Sequence, residues 1–179
     1  MNTRTPIAIL LTALAFAVPP AWAQVGKIFK DKDMTEGALV DALTPEPTVR
    51  TRSIRVQPSS GAPAKAPAAS VLITFETNSA ELTPASRLQL DVVGRALGSD
   101  RLADFAFSVE GHADPRGASE HNLRLSQARA ESVVEYLVQQ HNIKRQRLSP
   151  IGKGDLELAN AAVPAAPENR RVTIVTRIE

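Results

Sequence analysis

An aspartate and an arginine on either side of one expected strand-to-helix turn carry most of the chemistry that this sequence offers. The stretch from Val109 to Val134 reads VEGHADPRGASEHNLRLSQARAESVV. Asp114 stands where a strand is expected to end, and Arg129 lies on the helix expected to follow. One carboxylate and one guanidinium facing a common notch suit a ligand that carries an ammonium and a carboxylate at one end, as an amino-acid terminus does. The planar fork of arginine matches a carboxylate better than a lysine would, and the free amides of a first helical turn favour an anion. Asn122 on the same helix, and Asn78 in the turn after the expected first strand, can add neutral hydrogen bonds. Such a pocket is selective, because a ligand lacking one group leaves a buried charge unpaired. The plainer alternative is an internal salt bridge between Asp114 and Arg129 that fixes the turn to the helix.

These residues need a frame. Val71, Ile73 and Phe75 alternate as in a strand. Thr83-Pro84 is a helix N-cap followed by proline at the first helical position, and Leu90, Val93 and Leu97 share one face of the helix that Gly98 should end. Phe105, Phe107 and Val109 form a second period-two run. The longest expected helix spans Ser119 to about His141, with Ala130, Val133, Val134, Leu137 and Val138 on one stripe. Arg147 to Gly152 reads as a short strand, and Val172, Ile174 and Thr176 as the last one. The order β-α-β-α-β-β argues for an α+β domain over residues 71–179, a mixed four-stranded sheet with helices packed on it.

The rest of the chain is of another kind. Arg4, the apolar run Ile7 to Val18, Pro19-Pro20 and Ala21-Trp22-Ala23 form an export signal over residues 1–23, cleaved after Ala23. The apolar run is too short to cross a bilayer core of about 30 Å. Gln24, not cysteine, follows the cleavage site, so lipid attachment at that position is not expected. Residues 24–56 read as an N-terminal segment with one short helix. Its signs are Asp33 to Glu36 as an N-cap with a reciprocal glutamate, an apolar stripe of Ala38, Leu39, Ala42 and Leu43, and Pro45 and Pro47 as the stop. Arg50, Arg52 and Arg55 follow as a basic run. The segment reads as a solvated connector, since so short a helix is marginal alone, or else as a docking element for an envelope partner or an anionic surface. Residues 57–70, rich in Pro, Ala, Ser and Gly, read as an extended linker.

Composition narrows the function classes. A net charge of +2 in 179 residues and 4% aromatics argue against nucleic acid, which calls for a strong positive field or a stacking platform. Without cysteine, an exported domain relies on its core rather than on disulfides. The three histidines, His112, His121 and His141, show no metal-ligand spacing, and no Gly-x-Ser-x-Gly elbow accompanies Ser126. No metal, cofactor or catalytic group is expected, and His112 reads as structural.

Phe75-Glu76-Thr77-Asn78, Gly111-His112-Ala113-Asp114, Asn122, Leu125-Ser126 with Arg129-Ala130 and Val133, and Asn169-Arg170-Arg171-Val172 occur here in this order. Together they make the chain from about Val71 to Ile178 resemble the OmpA-like C-terminal domain, most closely its peptidoglycan-associated lipoprotein branch, though without that branch's lipid-bearing cysteine. The resemblance implies a non-enzymatic module of the periplasm that binds peptidoglycan and links the outer membrane to the cell wall. It implies that Asp114 and Arg129 hold the amine and carboxylate of a meso-diaminopimelate residue, and that Asn78, Asn122 and Arg170 line the same pocket. Alternation along the last strand sends Arg170 and Arg171 to opposite faces, and the resemblance favours Arg170. Two other readings remain at this level: a periplasmic scaffold whose residues 24–56 recruit a partner to the wall, and a cell-wall hydrolase, for which no nucleophile–base pair is visible.

Overall fold

A computed structural model describes residues 27–30, 33–45, 66–76 and 78–178. The expected signal segment, the basic run at Arg50, Arg52 and Arg55, and most of the expected linker lie outside these residues. The described elements are β1 (Lys27–Phe29), α1 (Glu36–Leu43), β2 (Ala68–Val71), α2 (Pro84–Gly98), β3 (Ala106–His112), α3 (Ser119–His141), β4 (Leu148–Gly154) and β5 (Val172–Arg177). They form one five-stranded mixed sheet in the order β1-β2-β5-β3-β4. The strand β5 runs antiparallel to both β2 and β3, while β1 pairs with β2, and β4 with β3, in parallel. A parallel pair needs a crossover, and α3 is the crossover between β3 and β4.

The sheet thus has one strand more than the four expected. The added strand, Lys27-Ile28-Phe29, is too short for alternation to announce it. The helix that follows is not a solvated connector. Leu39 and Leu43 are fully buried and join Phe29, Met34 and Val40 in the same core as Leu90, Leu97, Val133 and Ile174. The cap of α1 is Thr35, whose Oγ1 accepts the Ala38 N–H at 3.2 Å, rather than the expected Asp33. At the other end the buried Thr176 hydroxyl donates to the Leu43 carbonyl at 2.6 Å, satisfying a helix-end acceptor and tying α1 to β5.

The next strand is shifted too. Its ladder covers Ala68–Val71 and ends where the sequence suggested it would begin. Ile73 is still buried, and Phe75 makes only an isolated bridge with Leu82. Ala68, Ala69 and Ser70, expected to close the linker, are buried. Ser70 Oγ lies 2.9 Å from Thr173 Oγ1 inside the sheet. Small residues fit a strand covered on both faces but carry little β signal of their own.

The expected α2 and α3 form as the periodicity requires. Thr83 Oγ1 accepts the Ser86 N–H at 3.2 Å, with Pro84 at the first turn, and Ala130, Val133, Val134 and Leu137 are buried on α3. Two glycines let α3 lie almost on the sheet backbone. A Cβ on Gly111 would sit 2.2 Å from the Ser126 carbonyl oxygen, and one on Gly152 would sit 2.7 Å from the Gln127 nitrogen. Ser126 Oγ accepts the Gly154 N–H at 2.9 Å, and Gln127 Oε1 accepts the Gly152 N–H at 2.6 Å. Those bonds fix the first half of α3 against the ends of β3 and β4, where the candidate ligand residues emerge.

Candidate functional site

A cleft of about 980 Å³ opens beyond the carboxyl end of β3, and Asn78, Asp114, Asn122, Arg129 and Arg170 all line it. The ladder does not stop abruptly at His112. The His112 N–H donates to the Arg171 carbonyl at 3.0 Å, and the Ala113 N–H to the Gly154 carbonyl at 2.7 Å. Asp114 is thereby presented from fixed backbone. The chain then turns through Gly117, whose φ of 99° suits glycine, into α3. Ala118 offers α3 no side-chain cap. Ser119 Oγ instead donates to Asp155 Oδ1 at 2.6 Å. Asn122 bridges the same region, its Nδ2 donating to the Asp114 carbonyl and to Asp155 Oδ2, each at 3.2 Å. Asn122 is therefore a positioning residue, holding the backbone that carries Asp114.

The Asp114 carboxylate is buried, with its side chain 7% exposed, and it accepts hydrogen bonds from several donors. Arg116 gives a fork, Nε to Oδ1 at 2.9 Å and Nη2 to Oδ2 at 2.7 Å, and its backbone N–H reaches Oδ1 at 3.2 Å. Arg170 Nη1 reaches Oδ2 at 3.0 Å. The Arg116 hydrogen bonds, with Arg170 behind them and burial opposing, hold the Asp114 carboxyl far below the usual carboxylate range. Asp114 is ionised at any ordinary pH.

Arg129 is arranged differently. Its Nε donates to the Ser79 carbonyl at 2.9 Å, and its guanidinium lies 4.9 Å from the centroid of the Phe75 ring. Burial, aided by the charge of Arg170, pushes its pKa down, but an arginine stays protonated. Among the described residues no carboxylate lies within ion-pair distance of it. The internal Asp114–Arg129 salt bridge that the spacing allowed is thus not formed: Arg116 and Arg170 take the aspartate, and Arg129 keeps a carbonyl and a ring. Asn78 has a positive φ of 52°, a conformation that asparagine tolerates, and its Oδ1 lies 2.8 Å from His121 Nε2.

Sequence reasoning missed Arg116, the platform role of Phe75, and His121. The spacing Asp-x-Arg was the only available sign of the first, and a contact across two residues depends on how the turn is made. Arg171 lies away from the cleft as alternation required, 2% exposed and donating to the Glu157 carbonyl.

His112 is buried beside Glu110 and Glu157, all three offering donor atoms within 4.8 Å of one another. The cation place there is already filled. Lys153 Nζ is 3.0 Å from Glu157 Oε1 and 3.6 Å from Glu110 Oε1. Burial, together with Arg171 and Lys153, takes His112 down to about 3, so it is a neutral core imidazole.

Known proteins share this frame. Residues 74–172 match the OmpA family model. The chain is 34% identical over 103 residues to the probable lipoprotein YiaD of Escherichia coli, covering 57% of this chain and 46% of that protein. It is 40% identical over 67 residues to the peptidoglycan-associated lipoprotein of Pseudomonas aeruginosa, covering 37% and 38%. This chain thus spans less than half the length of either relative. Among solved structures, the peptidoglycan-associated lipoprotein of Burkholderia pseudomallei aligns with a TM-score of 0.50 at 25% identity, over 60% of this chain and 89% of that one. The periplasmic domain of Helicobacter pylori MotB aligns at 0.51 and 18% identity, over 62% and 74%, a likeness of fold. With the family model matching more than half of its residues, this chain belongs to the OmpA family.

Proposed function

We propose that the chain binds peptidoglycan without covalent chemistry, by the diaminopimelate residue of an uncrosslinked stem peptide, and so holds the bacterial envelope to its wall from the periplasm. The observation that carries this reading is the half-buried guanidinium of Arg129, placed over a ring with no carboxylate of its own among the described residues, beside an ionised aspartate. A half-buried cation without a counter-ion is costly, and a ligand carboxylate arriving in the fork relieves that cost. Asp114 then takes the ammonium on the same carbon. Asn78 and Arg170 border the ligand, and Asn122 holds the Asp114 backbone. The names of the relatives support the substrate class, since two of them are described as peptidoglycan-associated.

The scaffold reading keeps less apolar surface than the stripe suggested, because Leu39 and Leu43 are buried in this domain's own core and Ala38 and Ala42 pack against it; the basic run at Arg50, Arg52 and Arg55 lies outside the described residues.

Sedimentation with purified sacculi tests the proposal. The variants Asp114→Ala and Arg129→Ala should each lose about 2–5 kcal/mol of binding, much of it from the charge left stranded. Titration with a diaminopimelate stem peptide and its lysine counterpart tests the ligand itself. The lysine form lacks the carboxylate assigned to Arg129 and should bind more weakly. Undiminished sedimentation of the double variant, or equal affinity for the two peptides, overturns the reading.

A further inference from the structure

The two ends of the cleft are not equally free. A carboxylate offers about four lone-pair sites. Those of Asp114 are met by the Arg116 backbone N–H, by Arg116 Nε and Nη2, and by Arg170 Nη1. An arriving ammonium finds no vacant acceptor, so a resident donor must leave. The backbone N–H is fixed by the turn. Arg170 has a second acceptor, the Ala165 carbonyl at 3.4 Å, and lies deeper, its side chain 41% exposed. The Arg116 side chain is 67% exposed, and among the described residues only Asp114 holds it. It can swing into water and recover its hydration there.

We propose that Arg116 is a resident competitor that fills the ammonium place on Asp114, so that it sets how strongly the site reads a ligand's amine. This rests on the ligand reading given above. In the free protein the carboxylate place at Arg129 is open and the amine place is shut. Binding at Arg129 comes first, and the ammonium then exchanges with the Arg116 fork. That exchange replaces one charge-assisted pair with another, so the amine contributes little net affinity. Removing Arg116 takes away the competitor and leaves Asp114 and Arg170 in place.

The test is calorimetric titration of the full mature chain and its Arg116→Ala and Arg116→Gln variants. The probes are a diaminopimelate stem peptide and the same peptide acetylated on the diaminopimelate side-chain amine. Both variants should bind the free-amine peptide about two- to fivefold more tightly than the parent, the upper part of the range expected when an exposed ion pair is lost. Acetylation should weaken the variants several-fold more than it weakens the parent, a contrast that a merely structural role for Arg116 would not produce. Equal or weaker binding by both variants overturns the proposal, and a weaker result would mean that Arg116 itself grips the ligand. Sedimentation of the parent chain with sacculi judges the ligand reading separately. Parent chain that sediments with sacculi, together with variants that gain nothing, sinks only the competitor role. A parent that fails to sediment, beside variants that take up the free-amine peptide, sinks only the wall-binding role.

Discussion

At the scale of single residues, burial does opposite things to the ionisable groups of this domain. Asp114 is buried yet firmly ionised, because donors surround it. His112 is buried with neither ring nitrogen hydrogen-bonded, and it is kept neutral down to about 3. The second case makes stability depend on pH. The ordinary imidazole value, 6.5, applies to the unfolded chain. Between pH 6.5 and about 3 the unfolded chain therefore binds a proton that the folded one does not. Stability from the neutral ring is fully present above pH 6.5 and falls as the pH drops through that window, with a slope approaching about 1.4 kcal/mol per pH unit. Urea unfolding at pH 7 and pH 5 should show the parent chain losing more stability than His112→Gln, by about 2 kcal/mol. Matching losses in the two proteins would place the acid sensitivity elsewhere. Asp114 acts lower, since the ordinary carboxyl value is 3.8 and its folded value is depressed, so its contribution disappears only as the pH falls below about 4. Chemistry at this scale was partly legible in the sequence. Residue type and order named Asn78, Asp114, Asn122, Arg129 and Arg170, and all five line one cleft. Their pairing was not legible. Arg116 reaches back to Asp114 from two residues on, with its backbone N–H and its side chain both on the carboxylate, and spacing alone gives no sign of that.

Among the elements, the long periodic ones were readable and the short ones were not. Both α2 and α3 carry apolar stripes over several turns, and the start and end of α2 follow from Thr83-Pro84 and Gly98; α3 stops at Asn142, which takes the left-handed cap conformation and which sequence reasoning did not read as a stop. The β1–α1 pair offers three strand residues and eight helical ones, too few for a period to stand out, and a helix that short has little stability alone. Its place is decided by tertiary burial: Phe29, Met34, Leu39, Val40 and Leu43 fill one end of the core. The boundary drawn at residue 71 from composition therefore cuts through the domain, through β2 as well as ahead of it. Leu39→Ala and Leu43→Ala should each cost about 2–5 kcal/mol, the range for emptying a fully buried leucine site. A fragment beginning at Val71 should unfold at lower urea than the chain from Gln24, and it should lose hydrogen-exchange protection first in β5, which would lack its β2 partner. If the fragment matches the longer chain in both measurements, α1 is an accessory and not part of the cooperative unit.

For the whole molecule, the question is how one modest site would hold an envelope to a wall if the proposed function is right. A small polar ligand buries little area, and desolvation of its charges offsets much of their attraction. The described residues form one cleft of this character, with Lys30, Arg116, Arg129 and Arg170 set against Glu76, Asp114 and Glu168 on its walls. The balance at the cleft is positive by one, four cations against three carboxylates, in a chain whose net charge is only +2. A field that would draw in an acidic stem peptide is therefore local and short-ranged, and salt should weaken it once the screening length falls from about 10 Å at 0.1 M to about 3 Å at 1 M. One such cleft among the described residues also means no avidity from them within a single molecule, because linked sites, not repeated ligands, turn a second binding event into an intramolecular one. The dissociation constant measured on sacculi, per accessible stem, should then agree with that for the soluble stem peptide within about threefold. Both should weaken in parallel as salt is raised. Binding to sacculi tighter by a hundredfold, or insensitive to salt while the peptide affinity falls, would show that the wall is held by a second surface or by several copies of the chain acting together.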